Sequence, residues 1–171
     1  MPHFSPALRS TFTALWGLQL SAEAATFSGK VVAIADGDTL TDLTASMKQH
    51  RIRLAEIDAP EKHQPFGTKS KSLSDFCFGN EAEISPRVKD RYQRVVARVK
   101  CAGVDANAEQ VNRGMAWVYP RYAKHHDLYV LEHGAKVGKR GLWADSSPTP
   151  PWQWRKNSNV RQIRTIGDSF L

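Results

Sequence analysis

Arg51-Ile52-Arg53-Leu54-Ala55-Glu56-Ile57-Asp58-Ala59-Pro60-Glu61 is the stretch on which the fold of this chain turns. Its first four residues alternate charged and apolar, the period-two pattern of a strand with one buried face. Pro60 ends the run and forces a change of direction, because it has no N–H for a sheet ladder and a fixed φ. Asp58 and Glu61 therefore fall at and just past the end of a strand. Taken alone, Ile57 to Glu61 also suits a turn into a helix, so its meaning depends on its neighbours.

Working outward, Thr26 to Ala35 is rich in small and β-branched residues and ends at Asp36-Gly37-Asp38, a turn signal. Thr39 to Thr44 continues as a second strand, Arg51 to Leu54 is the third, Glu81 to Ile84 a brief fourth, and Arg94 to Cys101 a longer fifth. Between and after them lie three helical patterns. Thr68 to Phe78 carries Leu73, Phe76 and Cys77 and stops at Gly79-Asn80. A second runs from Asp105 or Asn107 through Val111 to Gly114. The third is His126 to Lys139, packing through Leu128, Leu131, Ala135 and Val137. Trp117-Val118-Tyr119 is extended up to Pro120, and Trp117 and Trp143 read as packing residues. Five short strands with these helices predict an α+β chain built on a small Greek-key barrel. Residues 146–171 form a Pro- and Trp-containing extension, with 146–151 a loop or polyproline segment and fraying expected from Asn157.

The chain has 171 residues, 41% of them hydrophobic and 24% charged, the balance of one soluble domain with terminal extensions. Lys and Arg number 24 against 17 Asp and Glu, a net charge of +7. Such a surface suits polyanions, since neutralised phosphates release condensed counterions. It equally suits a protein kept soluble by charge.

Residues 1–24 read as an export signal: Arg9 closes a short basic segment, Thr11 to Leu20 is a modestly apolar core, and Ala22-Glu23-Ala24 places small residues at a cleavage site. The apolar run is too short for a permanent membrane anchor. Export would place the mature chain, 25–171, in the periplasm or outside the cell; without a functional leader it is cytoplasmic. Cys77 and Cys101 are the two cysteines, and neither lies in a zinc-binding spacing. In an exported chain they suggest one disulfide; in a cytoplasmic one, two buried thiols.

The chemistry lies in three motifs: Asp36-Gly37-Asp38-Thr39, Arg53 to Glu61, and Asp90-Arg91-Tyr92-Gln93-Arg94. Asp-Gly-Asp-Thr alone is a hairpin turn, and a lone arginine is a surface charge. Carboxylates and arginines in this order are the means to cut a phosphodiester. Oxygen donors hold a hard cation, guanidinium forks grip phosphate oxygens, and a further carboxylate can take a proton from water.

From about Phe27 to Trp143 the set resembles the thermonuclease, or staphylococcal-nuclease-like, family. That resemblance implies a five-stranded oligonucleotide-binding (OB) barrel capped by about three helices. It implies calcium held by Asp38, Asp58 and the backbone carbonyl of Ala59, where the family often has Thr. Magnesium or manganese could use the same donors. Asp36 would shape the loop beside them. The resemblance gives Arg53 and Arg94 the transition-state phosphate, Glu61 the role of general base, and Arg91 and Tyr92 a neighbouring phosphate. Tyr122 becomes a base-stacking candidate, as does Tyr119, which equally fits a buried aromatic. Gln93 departs from the family's usual Gly and bears on how Arg94 approaches. Arg51 and Arg98 match no motif and are expected to be solvated or to touch nucleic-acid backbone.

The function this predicts is a calcium-dependent, sugar-nonspecific nuclease acting on single-stranded DNA, RNA and duplex DNA, as a monomer. The alternatives are a non-catalytic OB-fold nucleic-acid-binding module, or a nuclease serving plasmid maintenance or partition. Retention of Asp38, Asp58, Glu61, Arg53 and Arg94 together argues for the enzyme over the module. His63, His125, His126 and His133 lack ligand spacing, and no Ser-His-Asp set or phosphate-cradling glycine loop is present.

Overall fold

The structure, a computed structural model, describes residues 25–158. The leader expected at 1–24 and most of the stretch expected to fray lie outside these residues.

Strands β1 (Phe27–Ile34), β2 (Thr39–Leu43) and β3 (Gln49–Leu54) form an antiparallel meander. After the short β4 (Ile57–Asp58), β5 (Glu81–Lys89) pairs back onto β1, and β6 (Val95–Cys101) pairs with β5. Parallel pairing of β3 with β6, through Ile52, Arg53 and Leu54, closes the sheet into a five-stranded barrel. This is the OB-type barrel with helices. Its inward positions are aliphatic, with Val31, Leu40, Ile52, Leu54, Ile84 and Val99 fully buried. Among the described strands closure leaves no long barrel edge exposed, which protects so small a sheet from edge-to-edge association.

Strand β5 runs five residues past the expected Ile84. Pro86 is tolerated because the register with β6 shifts between Pro86 and Val88, and such irregularities are where a strand admits proline. The first helical region is a 3₁₀ turn over Lys69–Leu73 leading into α1 (Ser74–Cys77), shorter than the pattern suggested. Cys77 is bridged to Cys101, tying α1 to the end of β6. After β7 (Val104–Asp105), α2 (Ala106–Asn112) starts at Asp105, whose carboxylate accepts from the Ala108 N–H at 3.0 Å.

Two buried amides fasten α2 beneath the site. Asn107 accepts from the Val99 N–H and donates to the Ala55 carbonyl, at 3.1 and 2.8 Å. Gln110 Nε2 donates to the carbonyls of Gly37 and Ser70, at 2.6 and 2.8 Å. Gly37 is needed there: a Cβ would lie 2.6 Å from Ser70 Cβ and 2.7 Å from Ala59 Cβ.

Strand β8 (Trp117–Val118) pairs with β4, and α3 (His126–Val137) packs over it. Val137, expected in the interface, is 72% exposed. Glu132 takes an inward position instead, accepting from the Val118 N–H at 3.0 Å and pairing with Lys136. A hydrogen-bond acceptor at that spot satisfies the short strand's free N–H, which valine cannot do. Residues 151–158 are helical, so the helix starts at the last residue of the expected loop and runs two residues into the stretch expected to fray. They are held by aromatic contacts that local sequence pattern does not register. Trp117 and Trp143 do pack together, ring centroids 4.2 Å apart.

Candidate active site

An open cleft of about 990 Å³ lies across the mouth of the barrel. Asp38, Arg53, Asp58, Ala59, Glu61, Arg91, Tyr92, Arg94 and Tyr122, all expected at the site, line it together with Asp36. Their convergence follows from the topology. Asp38 precedes β2, Arg53 lies next to the end of β3, Asp58 ends β4, and Arg94 precedes β6. Strands β2 and β3 are neighbours, and β3 meets β6 at the closure.

The Asp38 carboxylate bridges two loops. Its Oδ1 accepts from the Thr39 hydroxyl at 2.9 Å and its Oδ2 from the Ala59 N–H at 3.0 Å. Asp58 is 1% exposed. One nitrogen, Arg53 Nη2, lies 2.8 Å from Asp58 Oδ1 and 3.5 Å from Asp38 Oδ2, so the two carboxylates share a cation. Arg53 Nη1 donates to the Ile57 carbonyl at 3.2 Å. Burial raises the Asp58 pKa, an effect that the arginines only partly offset. Asp36 is pushed up to about 6 by burial and by the negative charge of Asp38. For Arg53, burial acts against the charge, but Asp38 and Asp58 more than offset it and hold the guanidinium protonated.

Asp90 organises the turn before β6. Its Oδ1 accepts from the N–H groups of Tyr92 and Arg94, at 2.9 and 3.0 Å. Its Oδ2 takes the Arg94 Nε at 2.8 Å. Gln93 sits at φ 62°, the left-handed region that favours glycine, and the turn still closes. With Gln93 in this conformation Arg94 lines the cleft, its Nε on Asp90. Tyr92 and Tyr122 are 63% and 54% exposed, which suits contact with a ligand. Arg91 donates to the Tyr92 hydroxyl at 2.6 Å.

Arg98, expected to be solvated or to touch nucleic-acid backbone, is engaged within the protein instead. It pairs with Asp105 at 2.8 Å and with Glu56 and Asp127 at 3.4 Å, each joining β6 to a neighbouring segment. Sequence reasoning missed Glu56 altogether. Its side chain is 1% exposed, and it collects Arg87, Arg98, His125 and the Lys124 N–H. Its φ of 67° marks the sharp turn between β3 and β4.

Arg155 was missed too. From residues 151–158 it reaches across the cleft, with Nη2 2.7 Å from Asp58 Oδ2 and Nη1 2.6 Å from Glu61 Oε1. The signal for it was two tryptophans, Trp152 and Trp154, in a tail that otherwise reads as unstructured.

Among the described residues no group of three or more His, Cys, Asp or Glu side chains is placed to hold a metal. The donors that fit a hard cation are Asp38 and Asp58, with the Ala59 backbone joined to Asp38 through its N–H. Here Arg53 and Arg155 offset the negative charge of Asp38 and Asp58, and a bound cation would take the same carboxylate oxygens in place of part of these guanidinium contacts.

The fold and site define a closed OB-type barrel whose mouth carries paired carboxylates and arginines. A model of the family described as staphylococcal nuclease homologue matches residues 51–145, and the chain belongs to that family. It is 46% identical over 133 residues to an uncharacterized endonuclease of Haemophilus influenzae, covering 77% of this chain and 74% of that one. It is 39% identical over 146 residues to a micrococcal nuclease of Shigella flexneri, covering 78% and 83%. With the protein ParB of Escherichia coli it shares 36% over 146 residues, covering 78% and 82%.

Proposed function

We propose that this chain is a nuclease that hydrolyses phosphodiester bonds in single-stranded DNA, RNA and duplex DNA, using calcium. The observation that carries the reading is the convergence of Arg53 and Arg94 with Asp38, Asp58 and Glu61 on one open cleft. Membership of the nuclease homologue family and the endonuclease and nuclease names of its relatives support it.

Glu61 takes a proton from water. The water oxygen bonds to phosphorus, the bond from phosphorus to the 5′ oxygen breaks, and that oxygen takes a proton from solvent and leaves as a 5′-hydroxyl, the phosphate staying on the 3′ side. Negative charge grows on the non-bridging oxygens, and Arg53 and Arg94 stabilise it from fixed positions. Asp38, Asp58 and the Ala59 carbonyl would hold the cation, which when bound supplies further charge stabilisation and a more acidic water. Tyr92 and Tyr122 offer exposed rings to bases and Arg91 a charge to a flanking phosphate, contacts that carry no base-edge code. Export to the periplasm or medium, and action as a monomer, complete the proposal.

The test is cleavage of denatured DNA and RNA by the purified chain with calcium, magnesium or EDTA, beside Glu61→Gln. Cutting that needs a divalent cation and falls about 10²–10⁴-fold in the variant is expected. Salt-sensitive binding without cutting under any metal would sink the reading.

A further inference from the structure

We infer that Arg155 is a positioning residue of this reaction, holding the Glu61 carboxylate beside Asp58 from a segment beyond residue 145, where the family match ends. The inference rests on the nuclease reading above and adds a residue to it.

Among the described residues the Glu61 carboxylate has one hydrogen-bond partner, Arg155, at 2.6 Å. Glu61 is otherwise free to move, since its side chain is 42% exposed and glutamate has three rotatable torsions. The guanidinium is itself anchored on a buried group. Nη2 meets Asp58 Oδ2 at 2.7 Å, and Nη1 reaches Asp58 Oδ1 at 3.3 Å while holding Glu61. The planar fork thus ties a mobile carboxylate to a fixed one. Oε2 of Glu61 is left to accept from water.

The segment that carries Arg155 is packed in place. Pro151 is buried, and the Thr149 carbonyl accepts from Gln64 Nε2. The Trp152 ring stacks on Tyr119, centroids 5.1 Å apart and planes 4° apart, with Trp117 at 5.9 Å on edge. This stack covers a face of Tyr119, which leaves Tyr122 as the exposed tyrosine of the pair. An arginine delivered from so fixed a support can set the direction of its partner.

The experiment is steady-state cleavage of single-stranded DNA by the full chain with calcium. It compares Arg155→Gln and Arg155→Lys, with Glu61 intact and in the Glu61→Gln background, with the folded fraction measured by circular dichroism. Arg155→Gln should lower kcat about 10–100-fold, the scale of a misplaced catalytic group, and move KM less than about threefold. Arg155→Lys should recover part of kcat. In the Glu61→Gln background Arg155→Gln should change kcat less than about threefold, because residues acting as a unit are not additive. In EDTA, the ¹³C carboxylate signal of Glu61, assigned by its loss in Glu61→Gln, should shift in Arg155→Gln.

An unchanged kcat, a loss that tracks the unfolded fraction, an equal loss in the Glu61→Gln background or an unmoved carboxylate signal would each overturn the inference. So would a rise in KM alone, which would make Arg155 a phosphate clamp, or a rise in kcat, which would make its contact inhibitory. A wild-type chain that cuts nothing would overturn the nuclease reading and this inference with it.

Discussion

Asp90 holds Arg94 twice, through Oδ2 to the side-chain Nε at 2.8 Å and through Oδ1 to the backbone N–H at 3.0 Å. The carboxylate thereby fixes both where the arginine starts and where its guanidinium points. Burial of Asp90 is outweighed by Arg94, which keeps its carboxyl below the ordinary range and so ionised throughout the neutral region. Asp90→Asn should keep the fold and cost about tenfold in kcat through Arg94, as expected for a group one contact removed from the substrate. Cleavage kinetics beside a thermal melt would check this, and an unaltered rate would show that Arg94 does not need the clamp.

Glu56 should give the protein an acid limb of stability. Burial raises its pKa, but His125, the Lys124 N–H and Arg87 outweigh burial and bring the folded value below the ordinary 4.5. A depressed carboxyl contributes stability that is present above about pH 4.5 and is lost as pH falls through the folded value. Glu56→Gln removes the charge on which Arg87, Arg98 and His125 converge, and should cost about 3 kcal/mol at neutral pH. Urea midpoints between pH 3 and 8 should show that gap closing in acid. A gap independent of pH would mean the ion pairs contribute nothing.

Much of this was legible in the sequence, for identifiable reasons. Alternation over Arg51 to Leu54 reports one buried face, and Asp36-Gly37-Asp38 reports a turn, because both are local backbone preferences. The meeting of Asp38 with Asp58 is non-local. Pairing of β2 with β3 sets Thr39 opposite Arg53 and the turn at Glu56 brings Asp58 back to them, while closure of β3 against β6 adds Arg94, and only the family resemblance carried the closed barrel. Glu56 escaped notice because a glutamate between Ala55 and Ile57 looks like the solvent-facing member of an alternating run. Its burial depends on Arg87 and His125, far along the chain. Val137 failed the opposite way: it keeps helical spacing, but Glu132 faces β8. Arg155 lies after Pro148, Pro150 and Pro151, which argue for a loop, while the stacking of Trp152 on Tyr119 that supports it is tertiary.

The bridge between Cys77 and Cys101 joins α1 to β6 across a sequence separation of 24, and both residues are fully buried. Closing a loop of that length in the unfolded chain is worth about 3 kcal/mol. The double variant Cys77→Ala, Cys101→Ala should lose about that much in urea unfolding. Cleavage at 25 °C should stay within about twofold, since neither sulfur approaches the cleft and distant sites act independently. A matching loss of activity in a folded variant would connect α1 to the site, through the 3₁₀ turn whose Ser70 carbonyl meets Gln110.

Arg53 is the residue for which charge and shape can be separated. Nη2 serves Asp58 and Asp38, while Nη1 holds the Ile57 carbonyl, so two nitrogens in one plane do different work. Lysine keeps the positive charge but offers one compact ammonium that cannot fill both positions. Arg53→Lys should therefore leave the melting temperature within a few degrees, because Asp38 and Asp58 still share a cation. It should lower kcat about 10–100-fold, since the developing phosphate charge loses an aligned fork. Arg53→Gln removes the charge as well and leaves Asp58 buried beside Asp38 without that partner. It should lower kcat further and also destabilise the protein, by about 3 kcal/mol at pH 8. That second loss should shrink as pH falls, because burial raises the Asp58 pKa and a protonated carboxyl no longer needs the cation. Equal effects of Lys and Gln on rate would mean that the fork is dispensable, and equal effects on stability would mean that the shared cation is.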